Sequence, residues 1–274
     1  MKKTVAILYI CTGKYVAFWE EFYKSFEEKF LENYQKEYYV FTDSAEIYGE
    51  KENSFIHRIF QENLGWPGNT LFRFQMFQSV IPQLRQAEYI FFMNANVVCM
   101  KKVTDEMVLP GEKELVVVQH PGYFNKQPYE YDYENRKESK ACIPFGEGNV
   151  YVCGGINGGK SDSYIELIET LAKNIEDDYK RGIIAKWHDE SHLNRYIWKR
   201  EDYRLLSPAF CYPEDWKLPY EPVLMVTEKS KKIQLAREKE AEQKRKATIA
   251  GKIYSRVEYL RRRVLYEIKK RSRS

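Results

Sequence analysis

The densest run of residues able to do chemistry is Trp187-His188-Asp189-Glu190-Ser191-His192-Leu193-Asn194-Arg195-Tyr196. An indole beside two carboxylates and two imidazoles is the side-chain set a sugar site requires. The ring face stacks on a pyranose and the acids hold hydroxyls. One acid could also stabilise positive charge developing at an anomeric carbon. A plainer alternative is that Asp189 and Glu190 load the first turn of a helix with negative charge. His188 and His192 stand at i, i+4, but the His-Glu-x-x-His order of helical zinc sites is absent, which argues against a metal there.

A second candidate site is Glu88-Tyr89-Ile90-Phe91-Phe92-Met93-Asn94-Ala95-Asn96-Val97-Val98-Cys99-Met100. Its apolar start reads as a strand buried on both faces. Asn94 and Asn96 then follow at period two, which on a continued strand puts both amides on one face at the carboxyl end. Open α/β sheets bind ligands at that end. The other reading is that the two asparagines end the strand by turn chemistry. A third candidate is Gly154-Gly155-Ile156-Asn157-Gly158-Gly159, two glycine pairs that let backbone approach a ligand closely. Lys160-Ser161 follows, where a helix N-terminus could face phosphate. The Gly-x-x-x-x-Gly-Lys-Ser order of a Walker loop is not present.

The elements that must position these residues alternate in type. Thr4 to Ile10 reads as a strand, Val16 to Leu31 as a helix with Phe18, Phe22, Phe26 and Phe30 on one face, and Tyr38 to Asp43 as a second strand. Strand, helix, strand implies a right-handed βαβ crossover. Phe55 to Phe60 reads as a short strand, Thr70 to Leu84 as a helix, Glu114 to His120 as a buried strand, and Pro121 to Gly148 as a long loop. Asn149 to Cys153 reads as a strand, Ser163 to Asp178 and His188 to Tyr196 as helices, and Val223 to Val226 as the last apolar segment.

With 274 residues, 43% of them hydrophobic and 15% aromatic, the chain can bury a sizeable core. Five scattered cysteines without a Cys-x-x-Cys pair disfavour structural zinc and a disulfide framework, and a reducing cytosol fits best. The apolar run at the N-terminus is too short for a signal peptide, and no run reaches the length of a membrane span. The net charge of +4 hides an asymmetry. Residues 229–274 hold 17 Lys and Arg against 5 acids, while residues 1–228 hold 27 against 35. The expected organisation is therefore an acidic body, 1–228, and a basic, helix-prone tail, 229–274. Val257, Leu260, Val264, Leu265 and Ile268 space out an amphipathic basic helix from Ser255 to Lys270. Its apolar face favours peripheral contact with an anionic membrane surface over nucleic acid.

Several segments together carry a family resemblance: Lys14-Tyr15-Val16-Ala17-Phe18, Tyr38-Tyr39-Val40-Phe41-Thr42-Asp43, His120-Pro121-Gly122-Tyr123, the two glycine pairs, and Trp187 to Asn194. In this order, across about residues 4 to 225, the chain resembles glycosyltransferase family 6. That family contains the histo-blood-group A and B transferases and the α1,3-galactosyltransferases. The resemblance implies an α/β fold of GT-A type, Rossmann-like with a mixed central sheet. It implies transfer of N-acetylgalactosamine or galactose from a UDP-sugar to O3 of a terminal galactose, with retention of configuration. By position, Ile10, Cys11, Thr12 and Tyr15 resemble the uracil-binding segment, and Arg73 an arginine near the donor. His120 and Trp187 resemble acceptor contacts, Asp189 a donor-sugar contact and Glu190 the catalytic carboxylate.

Two departures from the family's animal members shape the expectation. Asn94-Ala95-Asn96 stands where those members have the Asp-x-Asp that binds manganese, and neutral amides are poor ligands for a hard cation. Bacterial members share the replacement, so the resemblance implies a bacterial-type enzyme with no divalent metal and no other cofactor. Arg73, Lys229 and Lys231 are then candidates to offset charge on the leaving diphosphate. Cys153-Gly154-Gly155 occupies the donor-selecting positions, where the small Gly155 favours N-acetylgalactosamine over galactose. The acceptor expected by likeness is an α1,2-fucosylated galactoside. A cytoplasmic enzyme follows, peripheral at the inner membrane face through its tail. The rival from another class is a non-catalytic UDP-sugar or carbohydrate-binding protein.

Overall fold

The computed structural model describes residues 3–230, 232–234 and 256. The chain divides into two compact units, residues 1–229 and 230–274. Both sheets belong to the first, as does Lys229. Lys231 and the basic helix expected from Ser255 to Lys270, Arg256 apart, lie outside the described residues. Among the described residues no helix is long and apolar enough to cross a membrane.

In chain order the elements are β1 (Thr4–Ile10), α1 (Trp19–Lys29), β2 (Gln35–Thr42), β3 (Ile56–Phe60), α2 (Gly65–Leu71), α3 (Arg73–Gln78), α4 (Ile81–Leu84), β4 (Tyr89–Met93) and β5 (Val97–Cys99). They continue with α5 (Asp105–Val108), β6 (Leu115–Gln119), β7 (Val152–Lys160), α6 (Ser161–Lys180), α7 (His188–Ile197), β8 (Tyr203–Leu206), β9 (Tyr212–Pro213) and β10 (Leu224–Val226). The central sheet runs β3-β2-β1-β4-β7-β6-β8. β1 pairs in parallel with β2 and β4, while β7 is antiparallel to both β4 and β6. This is the mixed sheet of the GT-A type. A small second sheet, β5-β10-β9, gathers the chain that leaves β4 and the chain that ends the unit.

The core follows from the apolar strands. Ala6, Leu8, Ile90, Phe92 and Val117 on one face of the sheet pack against Phe74 and Phe77 of α3 and Tyr164, Ile168 and Leu171 of α6. On the other side Phe22 stacks on Phe26 at 4.1 Å, and Phe22 meets the ring of Tyr9 at 4.3 Å. The phenylalanine stripe thus sits as its i, i+4 spacing predicts, but its first turn, Gly13–Phe18, is 3-10 rather than α. The helix expected from Thr70 to Leu84 is three short ones. Pro82 in the first turn of α4 has no amide to continue α3, so the chain restarts there.

The antiparallel β7 has one large effect on position. Ile156 pairs with Met93 and Lys160 with Tyr89. Gly154 and Gly155 therefore lie at the carboxyl ends of β1 and β4, while Lys160-Ser161 lies at the opposite edge. The N-terminus of α6, expected toward phosphate, turns instead to Glu88 and Leu84. Ser161 N–H donates to Glu88 O at 3.1 Å and its Oγ to Leu84 O at 2.8 Å. The second glycine pair is likewise a packing requirement. A Cβ on Gly158 would stand 2.4 Å from Phe91 Cδ1, and one on Gly159 2.6 Å from Glu114 O.

Candidate active site

The first turn of α7 presents its acids to the end of β7. Glu190 Oε2 accepts from Gly154 N–H at 2.7 Å and Glu190 Oε1 from the Tyr151 hydroxyl at 3.0 Å. Both carboxylate oxygens are thus aimed by donors, Gly154 on β7 and Tyr151 just before it. The close approach needs a glycine, since a Cβ at 154 would stand 3.0 Å from Glu190 Cβ and 3.2 Å from Asp189 Oδ2. At the head of the helix His188 adopts φ +53°, in the left-handed region uncommon for a residue with a side chain.

Asp189 is only 1% exposed and pairs with Arg73, whose Nε lies 3.0 Å from Oδ2. Arg73 is itself buried. It donates through Nη1 to Gly154 O at 2.9 Å and lies over the Phe92 ring at 4.4 Å. Asp189 Oδ1 is buried and accepts no hydrogen bond from the described residues. An orphaned carboxylate oxygen is costly inside a protein, and a ligand hydroxyl would relieve it. Burial pushes Asp189 up to about 6 against the pull of Arg73. Burial likewise pushes Glu190 up to about 7, the Gly154 amide opposing and the charge of Asp189 adding to the rise. Near neutrality Glu190 divides between acid and carboxylate.

Arg73, Gly154, Asp189 and Glu190, with Thr70, Asn94, Gly155, Trp187, His188 and Lys229, line one cleft of about 220 Å³. Trp187 stands at its wall, 45% exposed, its Nε1–H donating to Asp132 Oδ2 at 2.7 Å. The Lys229 ammonium lies 5.5 Å from the centre of the Tyr15 ring. Although the residue as a whole is exposed, crowding of its ammonium by the cleft and the like charge of Arg73 lower its pKa. Lys229 thus links the Ile10-Cys11-Thr12-Tyr15 segment to the cleft, although those four residues do not line it. Thr12 and Cys11 are buried, with Cys11 O accepting from Thr42 Oγ1 at 2.8 Å. His120 stands behind Tyr151, ring centres 5.7 Å apart. Cys153 is buried, and the neighbouring Cys211 thiol together with burial raises its own thiol well above the usual range.

Two expectations are corrected. Asn94 and Asn96 do not share a face, because β4 ends at Met93 and both stand in the turn before β5. Asn94 lines the cleft. The Asn96 side chain instead turns to the C-terminal strand and donates through Nδ2 to Thr227 O at 2.6 Å. His188 and His192 also part company. His188 lines the cleft with its ring edge-on to Trp66 at 5.1 Å, while His192 is buried 3.6 Å from Asp178. Among the described residues no three His, Cys, Asp or Glu side chains are grouped to hold a metal. Tyr151, Thr70 and Asp132 were missed by sequence reasoning. Asp132 sits in the long aromatic loop, whose length was the one available signal.

A pair of acids held at the carboxyl edge of a mixed sheet, with a tryptophan above and a lysine beside, suits a glycosyl-transfer site. The family model for glycosyltransferase family 6 matches residues 1–239. The chain belongs to glycosyltransferase family 6. It is 40% identical over 212 residues to the O-antigen biosynthesis glycosyltransferase WbnI of Escherichia coli, covering 77% of this chain and 89% of that protein. It is 29% identical over 230 residues to globoside alpha-1,3-N-acetylgalactosaminyltransferase 1 of Gallus gallus, covering 81% of this chain and 65% of that one. With histo-blood group ABO system transferase 1 of Rattus norvegicus it shares 28% over 226 residues, 81% of this chain and 64% of that one. The chain spans just under two thirds of these two animal relatives. A member of this family is a hexosyltransferase, taking a nucleotide-sugar donor and a glycan acceptor.

For such an enzyme the Tyr151–Glu190 bond predicts a pH effect. The tyrosine donates to the carboxylate form and so lowers the pKa of Glu190. In Tyr151→Phe that support is gone, Glu190 holds its proton to higher pH, and the acid limb of the kcat profile moves upward. A profile measured from pH 5 to 9 checks this. An unmoved limb means the bond does not set the ionisation that limits turnover.

Proposed function

We propose that the protein moves N-acetylgalactosamine from UDP to O3 of a terminal, α1,2-fucosylated galactose, retaining the α configuration and using no divalent metal. The observation that carries the reading is the double clamp on Glu190 by Gly154 N–H and the Tyr151 hydroxyl beside Asp189. A carboxylate held in this way on the cleft floor faces the donor's anomeric carbon. As the C1–O bond to phosphate breaks, its electron pair leaves with UDP and positive charge grows on the sugar ring. Glu190 stabilises that charge while acceptor O3 bonds to C1 and gives its proton to the departing phosphate oxygen. Asp189 Oδ1, without a hydrogen-bond partner among the described residues, accepts from a donor-sugar hydroxyl. Trp187 offers its exposed face to the acceptor.

Donor choice is supported by space. Gly155 borders the cleft, and a Cβ there would stand 2.3 Å from Asn94 Nδ2. The glycine keeps both the room and the Asn94 amide free for an acetamido group. Metal independence is supported by the use of Asn96 to hold Thr227. The cation is then supplied by Lys229, with Arg73 behind it holding Asp189. Lys229→Ala is expected to lower kcat about tenfold or more while changing the Kd for UDP far less, since the charge it meets grows in the transition state. Equal losses in both would make it a plain donor contact.

The experiment that tests the reading is transfer from UDP-N-acetylgalactosamine to a fucosylα1,2-galactose acceptor in excess EDTA and again with manganese. Equal activity in both supports the metal-free reading. Activity only with manganese overturns it, and transfer only from UDP-galactose overturns the donor assignment.

A further inference from the structure

Strand β7 loses register with β6 just where it meets the cleft. Val117 pairs with Asn157, but the next pair is Gln119 with Val152. Val118 alone therefore stands opposite Cys153, Gly154, Gly155 and Ile156, and β7 bulges away from β6 there. Toward β4 the pairing holds, with Ile156 opposite Met93 and Asn94 N–H donating to Gly155 O at 2.8 Å. A bulge re-aims the residues in it and strips their backbone groups of ladder partners. Here it turns Gly154 N–H to Glu190 Oε2.

Two buried asparagines close the ends of this bulge. Asn157 is 1% exposed and donates through Nδ2 back to Gly154 O at 3.0 Å. Its Oδ1 accepts from the Tyr164 hydroxyl of α6 at 2.5 Å. Asn194, on α7, is 3% exposed. Its Oδ1 accepts from Val152 N–H and its Nδ2 donates to Val152 O, both at 2.9 Å. The side-chain amide thus pairs with β7 as a neighbouring strand would. The same Nδ2 donates to Glu190 O at 2.9 Å, which ties the start of the bulge to the helix that carries the carboxylate. Neither asparagine lines the cleft.

We propose that Asn157 and Asn194 are positioning residues for the transfer, pinning the β7 bulge so that the Gly154 amide meets the Glu190 carboxylate. The assignment rests on the reading of Glu190 given above. Each asparagine acts through the backbone it holds. Ionisation of Glu190 separates positioning from plain packing. Burial raises its pKa and the charge of Asp189 adds to the rise, against the Gly154 amide, the Tyr151 hydroxyl and Arg73. Slackening the bulge weakens the Gly154 bond, so Glu190 holds its proton to higher pH.

The test compares Asn157→Leu with Tyr164→Phe in the full chain. The first removes the bond to Gly154 O. The second takes the partner of Asn157 Oδ1 and leaves the bond to Gly154 O in place. Asn157→Leu is expected to lower kcat about ten- to a hundredfold, the scale of a small misplacement at a reacting centre. The Kd for UDP stays within about twofold of wild type, and the acid limb of the kcat profile moves upward. Asn194→Ala, which frees the other end, gives the same pattern, while Tyr164→Phe keeps kcat within about twofold and the limb in place. An unchanged kcat or an unmoved limb in Asn157→Leu, or an equal loss of kcat in Tyr164→Phe, overturns the assignment. Asn157→Ser, with a side chain too short to reach Gly154 O, takes the place of the leucine variant with the same expectations if that variant does not fold. If the wild type transfers to no acceptor, it is the transferase reading that fails. Carbon NMR titration of the Glu190 carboxyl, located by its loss in Glu190→Gln, then decides the pins. A rise in Asn157→Leu supports them and an unmoved titration overturns them.

Discussion

Glu190→Gln is expected to lower kcat by about 10³-fold while UDP is still bound, the size of effect typical for removing charge stabilisation from a transition state. Two donors, Gly154 N–H and the Tyr151 hydroxyl, address the two oxygens of Glu190. A glutamine can turn its one oxygen to Gly154 N–H and donate from its amide to the Tyr151 hydroxyl oxygen. The variant therefore loses the negative charge while the side chain keeps its place. Single-turnover transfer, with UDP affinity measured separately by calorimetry, checks the expectation. Retained UDP binding with lost transfer is the enzyme outcome. Transfer undiminished in the variant would remove Glu190 from the chemistry, whereas UDP binding with no transfer by the wild type would return the site to the reading of a carbohydrate-binding protein.

The second large effect is on stability. Arg73→Met leaves Asp189 buried without its counter-charge and takes one of two donors from Gly154 O, the other being Asn157 Nδ2. Breaking one side of a buried pair costs about 3–5 kcal/mol. The cost depends on pH, and its sign can be worked out. Asp189 already sits above its ordinary pKa in the folded chain, and Arg73 is what pulls it down. Without Arg73 the folded pKa rises further, so between the unfolded and folded values the folded state binds more protons. Stability then falls as pH rises through that window. Urea midpoints should show the variant closest to wild type near pH 5 and furthest from it near pH 8. A constant difference across that range would mean Asp189 does not ionise against Arg73.

Much of this arrangement could be read from the chain because it is local. Strand β1, the phenylalanine stripe of α1 and the acids at the head of α7 each follow from residues within a few positions. Paired acids after an indole are informative wherever the helix lies. Relations across the fold were not legible. Tyr151 and Glu190 are 39 residues apart, and Arg73 reaches Gly154 across 81. No periodicity links such pairs; only the antiparallel course of β7 brings them together. The asparagines were misplaced for a related reason. Period-two reasoning assumes that the strand continues, and β4 stops at Met93 because the chain there turns to build a second sheet. The glycine pairs looked alike in sequence. Only their neighbours separate the pair that serves the site from the pair that lets strands pack.

Asn96 has one more consequence, for anyone who would reverse the exchange of acids for amides. Its Nδ2 donates to Thr227 O, while its own carbonyl receives Thr227 N–H at 2.8 Å and Thr227 Oγ1 at 3.1 Å. An aspartate has no hydrogen to give to that carbonyl, and its charge would sit 2% exposed in a place now neutral. Lys229 follows Thr227 by two residues, so the same clasp fixes how far the lysine can reach. The amide therefore works as a latch on the chain end. On the metal-free reading proposed above, a carboxylate at 96 would unfasten the segment that carries Lys229, so a carboxylate pair at 94 and 96 and a held lysine would exclude each other.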